Sequence, residues 1–493
     1  GAVAGHAASA APITAISPRP EPIPLSYAQQ RMWFINQFDT TAITYNVPAV
    51  LRLAGDLDVA ALRDAVVDLI ARHEILRTSF PAVDGVPRQL IGAVDEFGDR
   101  GVWRQVDSEA ELFAEAATGF DVSAAWPIRV RLCRTATGDH LLAVITHHIA
   151  ADGESQLPLV TDLVAAYSAR TAGGAPDFAP LEVQYADYAI WQRQVLGAPD
   201  DPSSPMARQL GYWRERLAGL PDVLELPSDR PRPPVASYRG QRTRFGIPAA
   251  VGKRIDAVAR EYSTTPFMVV HAALSVLLAR LSGTADIAVA TPVAGRGQRV
   301  LDPLVGMFVN TLVLRTRVGG AAPFAELLEQ VKVVDVDAFS HADIPFESVV
   351  EAVDPVRSEA FSPLAQVMLS FDPGASAADT DVAVAGLSVA VVPAPAVPAQ
   401  LDLSVIVSSA PAGQDWAVTI VSATDLFDES TITGFADRLV RILDGLTSAP
   451  SIPVGDVAWV PAEAIDDTLA RSRGDVVALP GESVIDLVAA QAQ

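Results

Sequence analysis

Thr146-His147-His148-Ile149-Ala150-Ala151-Asp152-Gly153-Glu154 stands at a change of period in the chain. Ahead of it, Leu141 to Ile145 is an apolar alternating run that reads as a strand. Behind it, Leu159, Leu163 and Tyr167 recur on one helical face, with Ser155 as a candidate cap. Two of the seven histidines therefore fall where a strand gives way to a loop. Successive side chains of a strand point to opposite sides. His147 and His148 should diverge, so that one faces a cavity while the other packs behind it. The plain alternative is a core role for the pair. Asp152-Gly153 offers a carboxylate able to orient an imidazole or bind a cation, and backbone N–H groups for a developing negative charge. A third metal ligand is not evident beside this pair, so no metal is expected. No Gly-x-Ser-x-Gly elbow occurs, and Cys133 lies in the strand pattern Ile128-Val130-Leu132. Direct transfer assisted by a single histidine is better supported than a covalent nucleophile.

Working outward, strand and helix patterns alternate. Residues 1–24 are rich in Ala and Pro and read as an extended linker, with structure expected from Leu25. Ser26 caps a short helix, Val47–Leu53 is a strand, and Asp58 caps a helix with Leu62, Val66 and Leu69 on one face. Ile128–Arg134 and Leu141–Thr146 flank the turn Thr135–Asp139 as a hairpin. A further helix starts at Tyr185, and the Pro-rich loops 199–205 and 227–234 place an inter-lobe connection over 196–238. The pattern then resumes. Strands are expected at Arg242–Ile247, Asp286–Thr291, Met307–Val318, Val367–Phe371, Leu401–Ser408 and Trp416–Ser422. Helices are expected at Pro248–Tyr262, Pro266–Ser282, Phe324–Ala338, from about His341, and from Asp428 to Leu446. Regularity fades beyond residue 447. The fold class is α/β with two successive lobes, 25–195 and 239–450, and a trailing linker over 451–493.

At 493 residues the chain exceeds the roughly 250–300 at which one core usually divides. Half of the residues are hydrophobic, which suits a chain that buries a sizeable core. A net charge of −23 without a Lys/Arg cluster excludes the basic footprint of a nucleic-acid binder. The one cysteine permits no internal disulfide and fits a reducing compartment, so a cytoplasmic location is expected. Phe267–Leu281, the longest apolar run, contains His271 and Arg280 and reads as a buried helix, so no membrane span is expected. The start has no initiator Met and no basic n-region, and reads as a piece cut from a longer polypeptide.

His147-His148-x-x-x-Asp152-Gly153 resembles the HHxxxDG signature of nonribosomal peptide synthetase condensation domains, relatives of chloramphenicol acetyltransferase. Five further segments match in order: Ser26–Trp33 (SxAQxRMW), Arg72–Phe80 (RHExLRTxF), Tyr185–Trp191 (YxDYAxW), Gly306–Arg315 (GxFVNTxxxR) and His341–Glu347 (HxDxPFE). The resemblance covers roughly 24–470. Two departures stand out. Glu154 occupies a place where the family often has Trp, and Arg357–Leu364 keeps only part of the last family segment.

The resemblance implies two acetyltransferase-like lobes in a V around a central tunnel. Donor and acceptor arrive there as thioesters on the phosphopantetheine arms of an upstream and a downstream carrier domain, beside an adenylation domain. No cofactor is expected to be bound by the chain itself. His148 maps to the catalytic residue, as base or as a positioner of the amine; general-base action is worth about 10² to 10⁴-fold. His147 and Asp152 are expected to support it, with Asp152 paired to Arg77 or Arg296 because a buried carboxylate needs a cation. Gly153 would let backbone approach substrate, and Asn310 and Glu154 are candidate tunnel-lining groups. Trp33, Phe80, Trp191, Phe308 and Phe346 are expected in the core or in packing between the lobes, and His271 and His341 in structural roles. The wording is most like the branch joining an L-donor to an L-acceptor. The intact His pair argues against cyclisation relatives and against idle relatives that recruit oxidases. Two rivals remain at this stage: an epimerisation relative in which His148 moves an α-proton, and a silent docking platform for carriers.

Overall fold

The computed structural model describes residues 11–374, 382–392, 398–474 and 483–492. Twelve strands build two six-stranded sheets. In chain order they are β1 (Asn46–Ala54), β2 (Trp103–Gln105), β3 (Ile128–Arg134), β4 (His140–His147), β5 (Gly240–Ile247), β6 (Asp286–Val293), β7 (Asn310–Arg317), β8 (Val367–Asp372), β9 (Val382–Val384), β10 (Leu387–Val391), β11 (Leu403–Ser408) and β12 (Trp416–Ala423). The first sheet runs β9-β10-β1-β4-β3-β2 and the second β7-β6-β8-β11-β12-β5. Both are mixed. β2 lies parallel to β3, and β8 lies parallel to both β6 and β11.

β4 delivers the histidine pair and is an inner strand. It pairs antiparallel with β1, from Leu53 opposite His140 to Asn46 opposite His147, and with β3 on its other side. From Leu141 to His147 every residue is buried, so both faces of the strand are covered and the alternation expected there is absent. The helix Gln156–Thr171 leaves the loop that follows β4 and packs on Val59–Arg72. In the second half the helix Pro266–Ser282 is buried over Met268–Leu278. Thr265 caps its first turn, accepting from the Met268 N–H, and left-handed Gly283 closes it. No single helix among the described residues is long and apolar enough to cross a membrane. Cys133 is free and buried.

Several expectations need correction. β9 and β10 come from the second half of the sequence yet extend the first sheet, Leu51–Ala54 of β1 pairing with Ser388–Val391. The two lobes are therefore not simply successive. The stretch 196–238 is more than a connection. Ser204 caps a helix, Pro205–Leu217, that buries Met206, Leu210, Trp213 and Leu217. The expected strand Met307–Val318 starts only at Asn310, because the N–H groups of Phe308 and Val309 are bound to a side chain instead of a neighbouring strand. Structure also begins before Leu25. Ile13 is buried, and Ile23 bridges to Gln89; residues 1–10 of the expected linker lie outside the described residues. Beyond residue 450, Val454 and Val457 close the second core. The helices Ala462–Ser472 and Val484–Gln491 that follow bury nothing, and 475–482 and 493 lie outside the described residues.

Candidate active site

The last residue of β4 and the first of the loop part company as strand geometry requires. His147 is 2% exposed, its ring edge-on to Phe120 with centroids 5.9 Å apart. Its Nδ1 accepts the Ile149 N–H at 3.1 Å, which tightens the turn. Burial pushes its pKa down to about 3, helped by the charges of His148 and Arg129. Such an imidazole stays neutral. His148 borders a cavity of about 290 Å³. Its N–H donates to the Tyr45 carbonyl at 2.8 Å, holding the residue against the start of β1. Its Nδ1 is sealed from solvent and makes no well-aligned hydrogen bond, so Nε2 is the nitrogen that meets the cavity. Burial lowers the His148 pKa below 6.5. It outweighs the raising influence of nearby backbone carbonyls and of Asp152, and the Arg31 charge adds to the lowering.

Asp152 is the anchor of the loop and is 1% exposed. Its Oδ1 accepts the Ser155 N–H at 2.9 Å, the Ser155 hydroxyl at 2.7 Å and Arg296 Nη2 at 3.2 Å. Its Oδ2 accepts the N–H groups of Phe308 at 2.9 Å and Val309 at 3.2 Å. One carboxylate thus ties the histidine loop to a segment more than 150 residues away. Arg296 also donates to the carbonyls of Leu301 and Leu304, at 2.8 and 2.9 Å, and lies 4.2 Å over the Phe308 ring. A buried ion pair is favourable only with such additional bonds.

Of the two arginines offered for Asp152, the structure selects Arg296. Arg77 donates to the Gly92 carbonyl at 2.7 Å and lies 3.9 Å from Glu74, so it serves the strand edge near residue 78 and not the site. Glu154 is exposed and is not part of this cavity's wall, contrary to expectation. Gly153 faces open space, where a Cβ would meet nothing within 4 Å. No steric demand of the chain itself accounts for that glycine. Asn310 does line the cavity, yet its polar atoms are committed. Nδ2 donates to the carbonyls of Ala342 and Ile344, and Oδ1 accepts the Phe346 N–H.

Several residues of the site lay beyond the sequence reading. Ser155 Oγ is a hub, accepting the Gly306 N–H at 3.1 Å besides serving Asp152. The signal was present: an Asp three residues ahead of a Ser, each side chain bonded to the other's backbone, is a capping box. Tyr185 donates to the Met307 carbonyl at 2.6 Å and takes a bond from Ser26 Oγ at 2.9 Å, joining three motif segments through one hydroxyl. Gly306 is required there, because a Cβ would lie 2.1 Å from the Tyr185 ring. Gly295, at φ +64°, likewise has no room, with the Phe308 carbonyl oxygen 2.0 Å from a would-be Cβ. Trp33 donates to the Phe80 carbonyl at 2.8 Å, so that pair is structural. Trp191, Phe308 and Phe346, expected as core, also border the cavity. His271 sits 3.0 Å from Asp335, both fully buried away from the site. No group of three or more His, Cys, Asp or Glu able to hold a metal occurs among the described residues.

A second cavity, of about 220 Å³, adjoins the first and shares Arg31, Tyr45, Thr311, Phe346, Met368 and Gln400 with it. Arg31, 2.7 Å from Glu347, is a wall of both.

Two six-stranded sheets joined by a strand pair that crosses between them, with a histidine at their junction, define a chloramphenicol acetyltransferase-like pseudodimer. The family model described as the condensation domain matches residues 20–467, and the chain belongs to that family. It is 43% identical over 467 residues to the isonitrile lipopeptide synthase of Mycobacterium tuberculosis (strain ATCC 25618 / H37Rv), a match covering 91% of this chain and 18% of that protein. The chain thus spans under a fifth of the relative's length. Among solved structures it resembles the X-domain from teicoplanin biosynthesis, seen in complex with OxyB, at 32% identity and a TM-score of 0.82, covering 92% of this chain and 99% of that one. It shares the fold of a four-domain nonribosomal peptide synthetase at 22% identity and a TM-score of 0.79, covering 95% of this chain and 36% of that one.

Proposed function

We propose that this domain forms an amide bond between a carrier-bound acyl or peptidyl thioester and the amine of a second carrier-bound aminoacyl group. The observation that carries the reading is His148: a neutral imidazole whose Nδ1 is sealed and whose Nε2 meets the cavity. The amine nitrogen attacks the thioester carbonyl, a C–N bond forms and the C–S bond breaks. The proton lost by nitrogen passes to His148 Nε2 and onward to the departing thiolate. Cavities on both sides of Arg31 suit two substrates entering separately. Holding them together converts a bimolecular step to a unimolecular one, which supplies more than base catalysis alone.

The substrates ride on phosphopantetheine arms of an upstream donor and a downstream acceptor carrier, so the chain needs no bound cofactor of its own. In this reading it works in the cytoplasm beside an adenylation domain, in the branch that joins L-donor to L-acceptor. With both carriers loaded and products read by intact mass, His148→Ala is expected to abolish amide formation while leaving the melting curve intact. Unchanged yield in that variant would overturn the mechanism.

A second reading has one observation in its favour, the 32% identity to an X-domain solved in complex with OxyB. In that case the domain is a docking platform, and the wild-type chain yields no amide from any loaded pair. The intact His147-His148 pair, with His148 on the cavity wall, favours catalysis.

A further inference from the structure

Ile13 lies in a stretch that composition reads as linker, yet its side chain is 5% exposed and forms part of the wall of the His148 cavity. The backbone around it is fastened from both halves of the molecule. The Ile13 N–H donates to Gln298 Oε1 at 3.0 Å. The Ala11 carbonyl accepts from Trp191 Nε1 at 2.8 Å and from Gln298 Nε2 at 3.3 Å. Farther along, the Ile16 N–H donates to Asp187 at 3.2 Å, and Arg19 bonds Asp187 at 2.8 Å and Glu74 at 2.6 Å. A segment fixed at so many points presents Ile13 in one position. The same cavity carries the apolar side chains of Trp191, Val195, Leu196, Leu301 and Met307, with Gln192 and Gln298 among them.

We infer that Ile13 is a specificity-determining residue, set into the cavity by the segment ahead of the first helix, and that it limits the length of the aliphatic chain a substrate can place there. The inference rests on the condensation reading. The chemistry recognised is an unbranched or lightly branched hydrocarbon chain on a thioester-borne group, contributed either by the acyl donor or by the side chain of the acceptor. Contact with such a chain is non-directional, and each methylene removed from water is worth about fourfold in affinity. Where the wall ends, a further methylene clashes instead. The residue at the end of the chain therefore decides the optimum.

The test uses the full chain, with one series of straight-chain acyl donors against a fixed acceptor and a second series of acceptors with lengthening aliphatic side chains against a fixed donor. Ile13→Ala is expected to move the kcat/KM optimum two or three methylenes longer in one of the two series, raising the long-to-short ratio about tenfold or more. Ile13→Phe is expected to move it shorter in that same series. The series that shifts identifies the source of the chain. Unmoved optima in both series, in an active protein, would overturn the inference. Where Ile13→Ala lowers the melting temperature enough to unseat the segment, Ile13→Val replaces it, with an expected shift of one methylene. If the wild type forms no amide from any pair, the condensation reading is what has failed. Calorimetric titration with acyl-pantetheine amides of the same lengths then reads the wall directly. A length preference that shifts with residue 13 supports the inference, and an identical preference in all variants refutes it.

Discussion

Asp152→Asn isolates what the loop carboxylate does, because asparagine keeps the shape and removes one acceptor oxygen. In the native site Oδ2 faces two backbone N–H groups, and Oδ1 faces the Ser155 N–H, the Ser155 hydroxyl and Arg296. An amide can satisfy only one of those sides. If its oxygen stays with Phe308 and Val309, its NH2 confronts the Ser155 N–H and Arg296; if it turns over, it confronts Phe308 and Val309. Either way two buried donors lose their acceptor, at about 1–3 kcal/mol each. The Ser155 hydroxyl escapes, because its proton can turn to the Gly306 carbonyl at 2.9 Å. Arg296 also keeps the carbonyls of Leu301 and Leu304, which places the cost near the low end for a broken buried ion pair, about 3 kcal/mol. That corresponds to a factor on the order of 100 in the local opening constant. Hydrogen–deuterium exchange of peptides spanning 304–311 should show protection falling by that factor, while β11 and β12 exchange as before. Arg77→Ala is the control, since Arg77 binds Gly92 and Glu74 outside the site, and should leave 304–311 unaltered. If Asp152→Asn destroys amide formation but leaves protection at 304–311 unchanged, the anchor reasoning is wrong and the carboxylate acts on the reacting groups.

Two pH predictions follow from the histidines. Because burial holds His148 below 6.5, the acid limb of kcat that belongs to it should lie below pH 6.5. Profiles with two acceptors of different amine pKa identify it as the limb that stays put, and a fixed limb above 6.5 contradicts the burial argument. His147, held at about 3 in the folded state against 6.5 unfolded, binds its proton more readily when unfolded. Its contribution to stability is therefore complete above pH 6.5 and lost as pH falls toward 3, with a slope approaching 1.4 kcal/mol per pH unit, about one proton. Urea unfolding of His147→Gln should show that much less slope between pH 6 and 4. A variant with wild-type slope would mean that the ring is not buried neutral.

The orientation of the histidine pair was legible because strand alternation is local and needs no knowledge of neighbours. The choice between Arg77 and Arg296 was not. Arg77 lies within a motif segment and Arg296 outside one, and what separates them is a contact spanning 144 residues, which only packing decides. Likewise β10 carries too short a pattern to reveal that it pairs with β1 across more than 300 residues. The helix Pro205–Leu217 is a different case. Ser204 ahead of Pro205, with Met206, Leu210, Trp213 and Leu217 on one face, gave start and period signals, and the Pro-rich loops on either side masked them. Glu154 was misplaced for a third reason. Adjacency to a motif does not fix direction in a 3₁₀ turn, and Glu154 is exposed while Asp152 and Ser155 are buried.

The motif segments share a physical task that their separate wordings conceal. Ser26, Tyr185 and the Met307 carbonyl form one chain of hydrogen bonds, Gly306 and Gly295 leave space for it, and its end presents two N–H groups to Asp152. Asp152 in turn fixes the turn that begins at His148. Donors to that carboxylate come from the first half through Ser155 and from the second through Phe308, Val309 and Arg296, so the position of His148 is set by the junction and not by β4 alone. A shift of the 306–309 segment would therefore move His148 and its cavity-facing Nε2 through Asp152. Gly306→Ala, set against the Tyr185 ring and off the cavity wall, should act on turnover more than on the affinity for either thioester.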